Sequence, residues 1–143
     1  ASQIKRINII RIERNKLAKV YDKIFFHNDK IRYPLREKNI FSAYHLYNIR
    51  INFEDLKIDK INFYNILKKK YNINLQVHYT PTYKFNVFKK IVPKSEKYKN
   101  SEKYYKETFS LPLHLGLKEK DVYSIGKKIT HLVNKNSKNK IIK

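Results

Sequence analysis

YNINLQVHYTPTYKF, residues 71–85, decides the fold, because the hydrophobic period changes inside it. Up to Tyr71 the apolar residues keep helical spacing: Phe63, Ile66, Leu67 and Tyr71 stand at i, i+3, i+4 and i+8. After Asn72 they alternate, with Ile73, Leu75, Val77 and Tyr79 on one face and Asn74, Gln76 and His78 on the other. That is the period of a strand with one buried face. Asn72 suits the junction, since Asn tolerates the left-handed conformation that closes helices. By parity Tyr79 shares the buried face and His78 leaves it. Pro81 fixes the backbone and ends the strand.

Reading toward the N-terminus, SAYHLYNIRINF predicts a second strand, with Tyr47, Ile49, Ile51 and Phe53 alternating against Asn48, Arg50 and Asn52. His45 has the parity of Tyr47 and Ile49 and is expected half-buried. Asp59 caps the helix between the two strands by accepting from first-turn N–H groups, and Lys68, Lys69 and Lys70 suit its negative end. Ile31 to Tyr33 is a short extended piece cut by Pro34. From Gln3 to about Phe26 there is neither Gly nor Pro, and Ile10, Leu17, Tyr21 and Ile24 make one helical stripe. Residues 1–28 therefore read as one long linking helix.

Toward the C-terminus, SEKYKNSEKYYKETF predicts a helix with Tyr98, Tyr105 and Phe109 on one side. SLPLHLGL is extended, and Pro112 allows it at most an edge position. The last helix runs from Glu119 to about Val133, with Val122, Ile125, Ile129 and Leu132 as its stripe. Glu119 and Asp121 suit its N-terminal end, and Lys118 is a poor cap. NKNSKNKIIK, residues 134–143, has no period and is expected to be a disordered basic tail. Residues 29–133 then form a small α+β domain, with a two- to three-stranded, mostly antiparallel sheet packed by helices.

The net charge of +21 first suggests an anionic partner. A low-GC genome offers a second account. It favours Lys, Asn, Ile, Tyr and Phe codons, and the lysines are spread over every segment. That account is preferred, and a stand-alone basic module binding nucleic acid is kept as the alternative. No apolar run approaches about 20 residues, so no membrane-spanning helix is expected. No signal peptide is visible, so the cytoplasm is the expected compartment. With no Met and a start at Ala1, the chain reads as an excised or processed product.

Recognisable catalytic machinery is missing. Two glycines, Gly116 and Gly126, cannot build a dinucleotide or phosphate loop. The five histidines lack ligand spacing and there is no Cys. No pair of carboxylates is placed for acid–base work.

The same segments carry a resemblance. SQIKRINIIRIERNKLAKVYDKIF, SAYHLYNIRI, the HY-x-P of His78-Tyr79-Thr80-Pro81 and the downstream SLPLH occur in the order seen in sugar-nucleotide aminotransferases of the DegT/StrS type. Asn72, Leu115 and Lys118 depart from that pattern, where Gly, Pro and a capping Ser or Thr are usual. The resemblance implies the C-terminal small domain of a fold-type-I, pyridoxal-phosphate-dependent enzyme, most similar to those aminating UDP-linked 4-keto-6-deoxy-N-acetylhexosamines, including the pseudaminic-acid pathway. It implies amino transfer, usually from glutamate, to a nucleotide-linked keto-sugar, by a homodimer. It also implies that the cofactor and its Schiff-base lysine belong to a large N-terminal domain, so that this chain is inactive alone.

It further implies that His78 and Tyr79 lie at the edge of the active site, near the sugar. Imidazole and phenol both hydrogen-bond hydroxyls. Tyr83 is a third candidate for the same mouth. Ser110 and His114 are expected to be turn and packing residues, and Arg50 to be solvated. No catalytic, cofactor or metal residue is assigned.

Overall fold

The computed structural model of the chain describes residues 2–88, 90–92 and 98–138. A short α1 (Ser2–Lys5) leads into the long α2 (Ile7–Phe25), with one non-helical residue, Arg6, between them. β1 (Ile31–Arg32) and β2 (Tyr47–Ile51) follow, then α3 (Lys60–Tyr71), α4 (Lys99–Glu107), β3 (Thr108–Leu111) and α5 (Glu119–Lys135). The sheet is antiparallel, in the order β1-β2-β3. The expected small α+β domain with a long leading helix is what forms.

Parity sets the layers. In β2, Tyr47, Ile49 and Ile51 are buried, while Asn48 and Arg50 face the other side and stay half-buried. The apolar face packs against α2, α3 and α5 in one core that includes Tyr21, Phe25, Phe63, Phe109, Val122 and Ile129. Each fully buried Phe there contributes about 1.5–3 kcal/mol of transfer free energy. α2 and α5 approach closely at Gly126, where an added Cβ would sit 2.7 Å from Ile24 Cδ1. The Tyr21 hydroxyl donates to the Pro112 carbonyl at 3.0 Å, tying α2 to the turn after β3.

The caps form as their residues dictate. Asp59 accepts from the Asn62 N–H at 2.8 Å. Asn72 is left-handed at φ 53°, ψ 37°. The start of α5 is held by Asp121, whose carboxylate accepts from the Lys118 N–H at 2.9 Å.

Several expectations are corrected. Residues 73–79 form no ladder strand: Ile73 and Leu75 are buried, but the only pairing is a bridge between Gln76 and Ser110. Val77 and Tyr79 have core parity, yet they are 39% and 70% exposed. The sheet does not extend beneath them, so alternation does not bury them. Phe109 belongs to β3, because α4 ends at Glu107. β3 is the edge strand, as expected: it pairs with β2 on one side, carries only the isolated Gln76 bridge on the other, and stops just before Pro112. His45 is exposed, since β2 begins only at Tyr47 and Tyr44 before it is left-handed at φ 40°. Part of the expected tail is ordered: α5 reaches Lys135, Ser137 bridges Leu56, and the Lys138 N–H donates to the Asp55 carbonyl at 2.9 Å. Residues 139–143, and residues 95–97 of the helix expected over SEKYKNSEKYYKETF, lie outside the described residues.

Candidate functional site

The polar face of the sheet builds the site. Register places Asn48 opposite Ser110 across the β2–β3 ladder. On the far side of β3, Gln76 and Ser110 exchange both backbone hydrogen bonds, at 3.0 and 2.7 Å. His78 is two residues beyond Gln76 and leans back over the same row. Its Nδ1 lies 2.7 Å from Ser110 Oγ, and the Ser110 hydroxyl donates to Asn48 Oδ1. Asn48 Nδ2 in turn donates to the Tyr104 hydroxyl of α4 at 3.3 Å. Ser110 is buried, at 2% exposure, while Asn48 and His78 beside it are half-buried.

Tyr79 stands beside it. The His78–Tyr79 peptide is cis, and the two rings meet edge to face at 4.5 Å. Tyr83 is placed elsewhere. Its hydroxyl donates to Glu102 at 2.7 Å and its ring stacks on Tyr98 at 4.4 Å, both on the α4 side of the loop. It lines a groove of about 1160 Å³ with Val77, Thr80, Tyr105, Lys60 and Glu102. His78 and Tyr79 do not line that groove. The three predicted residues thus divide into an adjacent pair and a third on the opposite side of the loop.

Arg50 is not a solvated arginine. It donates Nε and Nη2 to Glu107 Oε2, and the Tyr104 ring lies 5.6 Å from its guanidinium carbon. Ser110 does more than pack, because it holds His78. Sequence reasoning missed Asn48 and Glu107 altogether. The only signal for Asn48 was its place on the polar face of a strand, and nothing local links it to Ser110, 62 positions away, or Ser110 to His78, 32 positions away.

Chemically, the row can hold one imidazole rigidly at the rim with an aromatic edge beside it. It can bind and orient a polar ligand. Among the described residues no group of three His, Asp or Glu side chains is placed to hold a metal ion, and no helix is long and apolar enough to cross a membrane. The strand aromatics that a nucleic-acid module would stack on bases, Tyr47 and Phe109, are 0% and 1% exposed.

The fold is that of part of a sugar aminotransferase, and the comparisons make the family plain. The chain belongs to the DegT/DnrJ/EryC1/StrS aminotransferase family, whose profile matches residues 1–130. It is 31% identical over 120 residues to a Campylobacter jejuni UDP-4-amino-4,6-dideoxy-N-acetyl-beta-L-altrosamine transaminase, covering 84% of this chain and 31% of that protein. It superposes on Helicobacter pylori PseC, an aminotransferase involved in the biosynthesis of pseudoaminic acid, with a TM-score of 0.83 and 27% identity over 94% of this chain and 35% of that one. The fold is also that of Spr1654 from Streptococcus pneumoniae, solved in its PLP-form, with a TM-score of 0.77 and 21% identity over 94% of this chain and 34% of that one. The chain spans about a third of the length of the relatives it matches.

The described residues do not fit pyridoxal phosphate. Burial lowers the Lys60 ammonium to about 8, but Lys60 Nζ donates to the Tyr105 carbonyl and lies 4.9 Å from the Phe109 ring centre. Gly126 is spent on helix packing and Gly116 sits against the His114 ring, so neither opens a phosphate cradle. No chemical step is routed through the cofactor on this chain.

Proposed function

We propose that this chain is the small domain of a pyridoxal-phosphate-dependent aminotransferase. It serves an enzyme that moves an amino group from an amino acid, glutamate in first place, to a nucleotide-linked keto-sugar for surface glycan synthesis. The enzyme works as a cytoplasmic homodimer, and its large N-terminal domain binds the cofactor and carries the Schiff-base lysine. The electron-sink chemistry is the cofactor's; this chain supplies one wall of the sugar site. His78 and Tyr79 contact the sugar. Tyr83 takes no part in that contact, since it lies on the other side of the loop with its hydroxyl given to Glu102 and its ring stacked on Tyr98.

The observation that carries this reading is the placement of His78, in a chain of this family. The imidazole is anchored at Nδ1 by a buried serine, at the edge of the sheet's polar face. An anchored rim histidine is suited to a ligand, because its ordering is complete before binding.

The test is made in the full-length enzyme. His78→Ala should raise KM for the keto-sugar and leave the half-reaction with the amino donor intact. Unchanged KM and kcat for the sugar would remove His78 from the site. The 143-residue chain alone should bind no pyridoxal phosphate and transaminate nothing.

A further inference from the structure

We infer that Asn48 and Ser110 are positioning residues that hold His78 as its Nδ1–H tautomer, so that Nε2 meets the ligand as a lone-pair acceptor. The row starts at Asn48. Its Nδ2 donates to the Tyr104 hydroxyl, and its carbonyl oxygen faces Ser110. That oxygen can only accept, so the single Ser110 hydroxyl proton is committed to it. Ser110 Oγ then has only lone pairs left for His78. The 2.7 Å contact to Nδ1 is therefore an N–H···O bond with the proton on the imidazole.

A neutral imidazole protonated at Nδ1 carries a lone pair at Nε2. Nε2 has no partner among the described residues, and it is not among the buried side-chain atoms left unpaired, so it opens to solvent. The burial of Ser110 keeps water from competing for its proton. The direction of the whole row, amide to hydroxyl to imidazole, is thus set from β2.

The consequence deepens the proposed sugar contact and rests on it. A lone pair at Nε2 favours a ligand group that donates, a sugar hydroxyl or an N–H. It disfavours a carbonyl or phosphate oxygen, which would face it with a second lone pair. The row therefore favours a hydroxylated ring edge at this point of the site over the keto group or the diphosphate.

The decisive measurement is the tautomer, read from imidazole ¹⁵N shifts in ¹⁵N-histidine-labelled protein at mildly alkaline pH, with His78→Gln assigning the signal. Wild type should show a protonated Nδ1 and an unprotonated Nε2. Asn48→Ala frees the Ser110 hydroxyl to donate to His78, so the tautomer should reverse although Ser110 remains. A purely structural role for Asn48 would not move the proton. Ser110→Ala, which removes the hydroxyl altogether, should give a mixture of the two forms. A wild type protonated at Nε2 overturns the row's direction without any variant, as does an Asn48→Ala protein that stays protonated at Nδ1. In the full-length enzyme Ser110→Ala should raise KM for the keto-sugar roughly 3- to 10-fold, the worth of one hydrogen bond. If His78→Ala leaves that KM untouched while the tautomer is as stated, the sugar contact fails and the donor preference with it. The tautomer result then stands as a property of the row alone.

Discussion

Arg50 on β2 gives Nε and Nη2 to the same oxygen of Glu107, at 3.1 and 2.7 Å, and Glu107 is the last residue of α4. The pair therefore fixes the point where α4 turns into β3, next to Thr108, the register partner of Arg50. Its two halves differ in exposure: the Glu107 side chain is buried and that of Arg50 is about one-third exposed.

That asymmetry makes a prediction. Arg50→Ala leaves the buried carboxylate with Lys103 alone, 4.0 Å from its other oxygen, and should cost about 3 kcal/mol, the low end for a broken buried pair. Glu107→Gln keeps the acceptor oxygen and should cost clearly less. Urea unfolding of both variants checks this, and equal costs would mean that charge plays no part in the pairing.

The left-handed Asn72 predicts a ranking. Asn72→Gly should be neutral or slightly stabilising, because glycine adopts that conformation freely. Asn72→Val should cost about 1–2 kcal/mol, because a branched Cβ crowds the backbone there and Val lacks the short polar side chain that lets Asn hydrogen-bond locally in this conformation. Thermal unfolding reads both, and a Val variant as stable as wild type would mean that α3 ends differently in solution.

Lys60 predicts a pH effect with a definite sign. Burial lowers its ammonium from 10.5 to about 8, so the folded state holds the proton less tightly than the unfolded chain. Between pH 8 and 10.5 the unfolded state binds more protons, and stability gains as pH rises. Relative to Lys60→Met, the wild type should therefore improve across that window and be at its worst below pH 8. Both proteins share every other titration, so the difference isolates Lys60. A flat difference would mean that Lys60 is solvated. Its hydrogen bond to the Tyr105 carbonyl, an orphan at the end of α4, opposes the burial cost at every pH.

The helices and β2 were legible because each owes its place to a periodic apolar face that needs no knowledge of neighbours. Leu17 and Tyr21 in α2, Phe63 and Leu67 in α3, and Val122 and Ile129 in α5 are buried as their spacing requires. Residues 73–79 show where periodicity stops being enough. Ile73 and Leu75 alternate and are buried, but a strand also needs a hydrogen-bonded neighbour along its length, and only Gln76 has one. β3 does take the edge position that Pro112 signals, since it closes the sheet order, but its burial at all four residues was not legible, because the segment that covers it comes from residues 73–79. At the site, parity correctly took His78 off the core face. Its partners Ser110 and Asn48 could not be found that way, because the row they form crosses three chain segments whose adjacency is set by the sheet order.

Tyr21 and Tyr47 predict how the domain fails in alkali. Both are fully buried. Burial raises the Tyr21 phenol far above its ordinary value. The Tyr47 phenol is raised by burial first and then by its hydrogen bond to Asp22, to which it donates at 2.7 Å. Both groups prefer to stay neutral in the folded state, so their contribution to stability is fully present below the unfolded value of about 10. It is lost as pH climbs above that toward the folded values. Phenolate absorbance should therefore show Tyr21 and Tyr47 ionising only as far-ultraviolet circular dichroism reports unfolding. Tyr47→Phe should remove one late phenolate and soften the alkaline loss. At neutral pH it should cost about 1.5–3 kcal/mol, the range for a hydrogen bond to a charged group. Arg36 still pairs with Asp22 in that variant, which holds the cost to the lower half of the range. Ionisation of all tyrosines in one step, with the fold intact, would show that water reaches both hydroxyls.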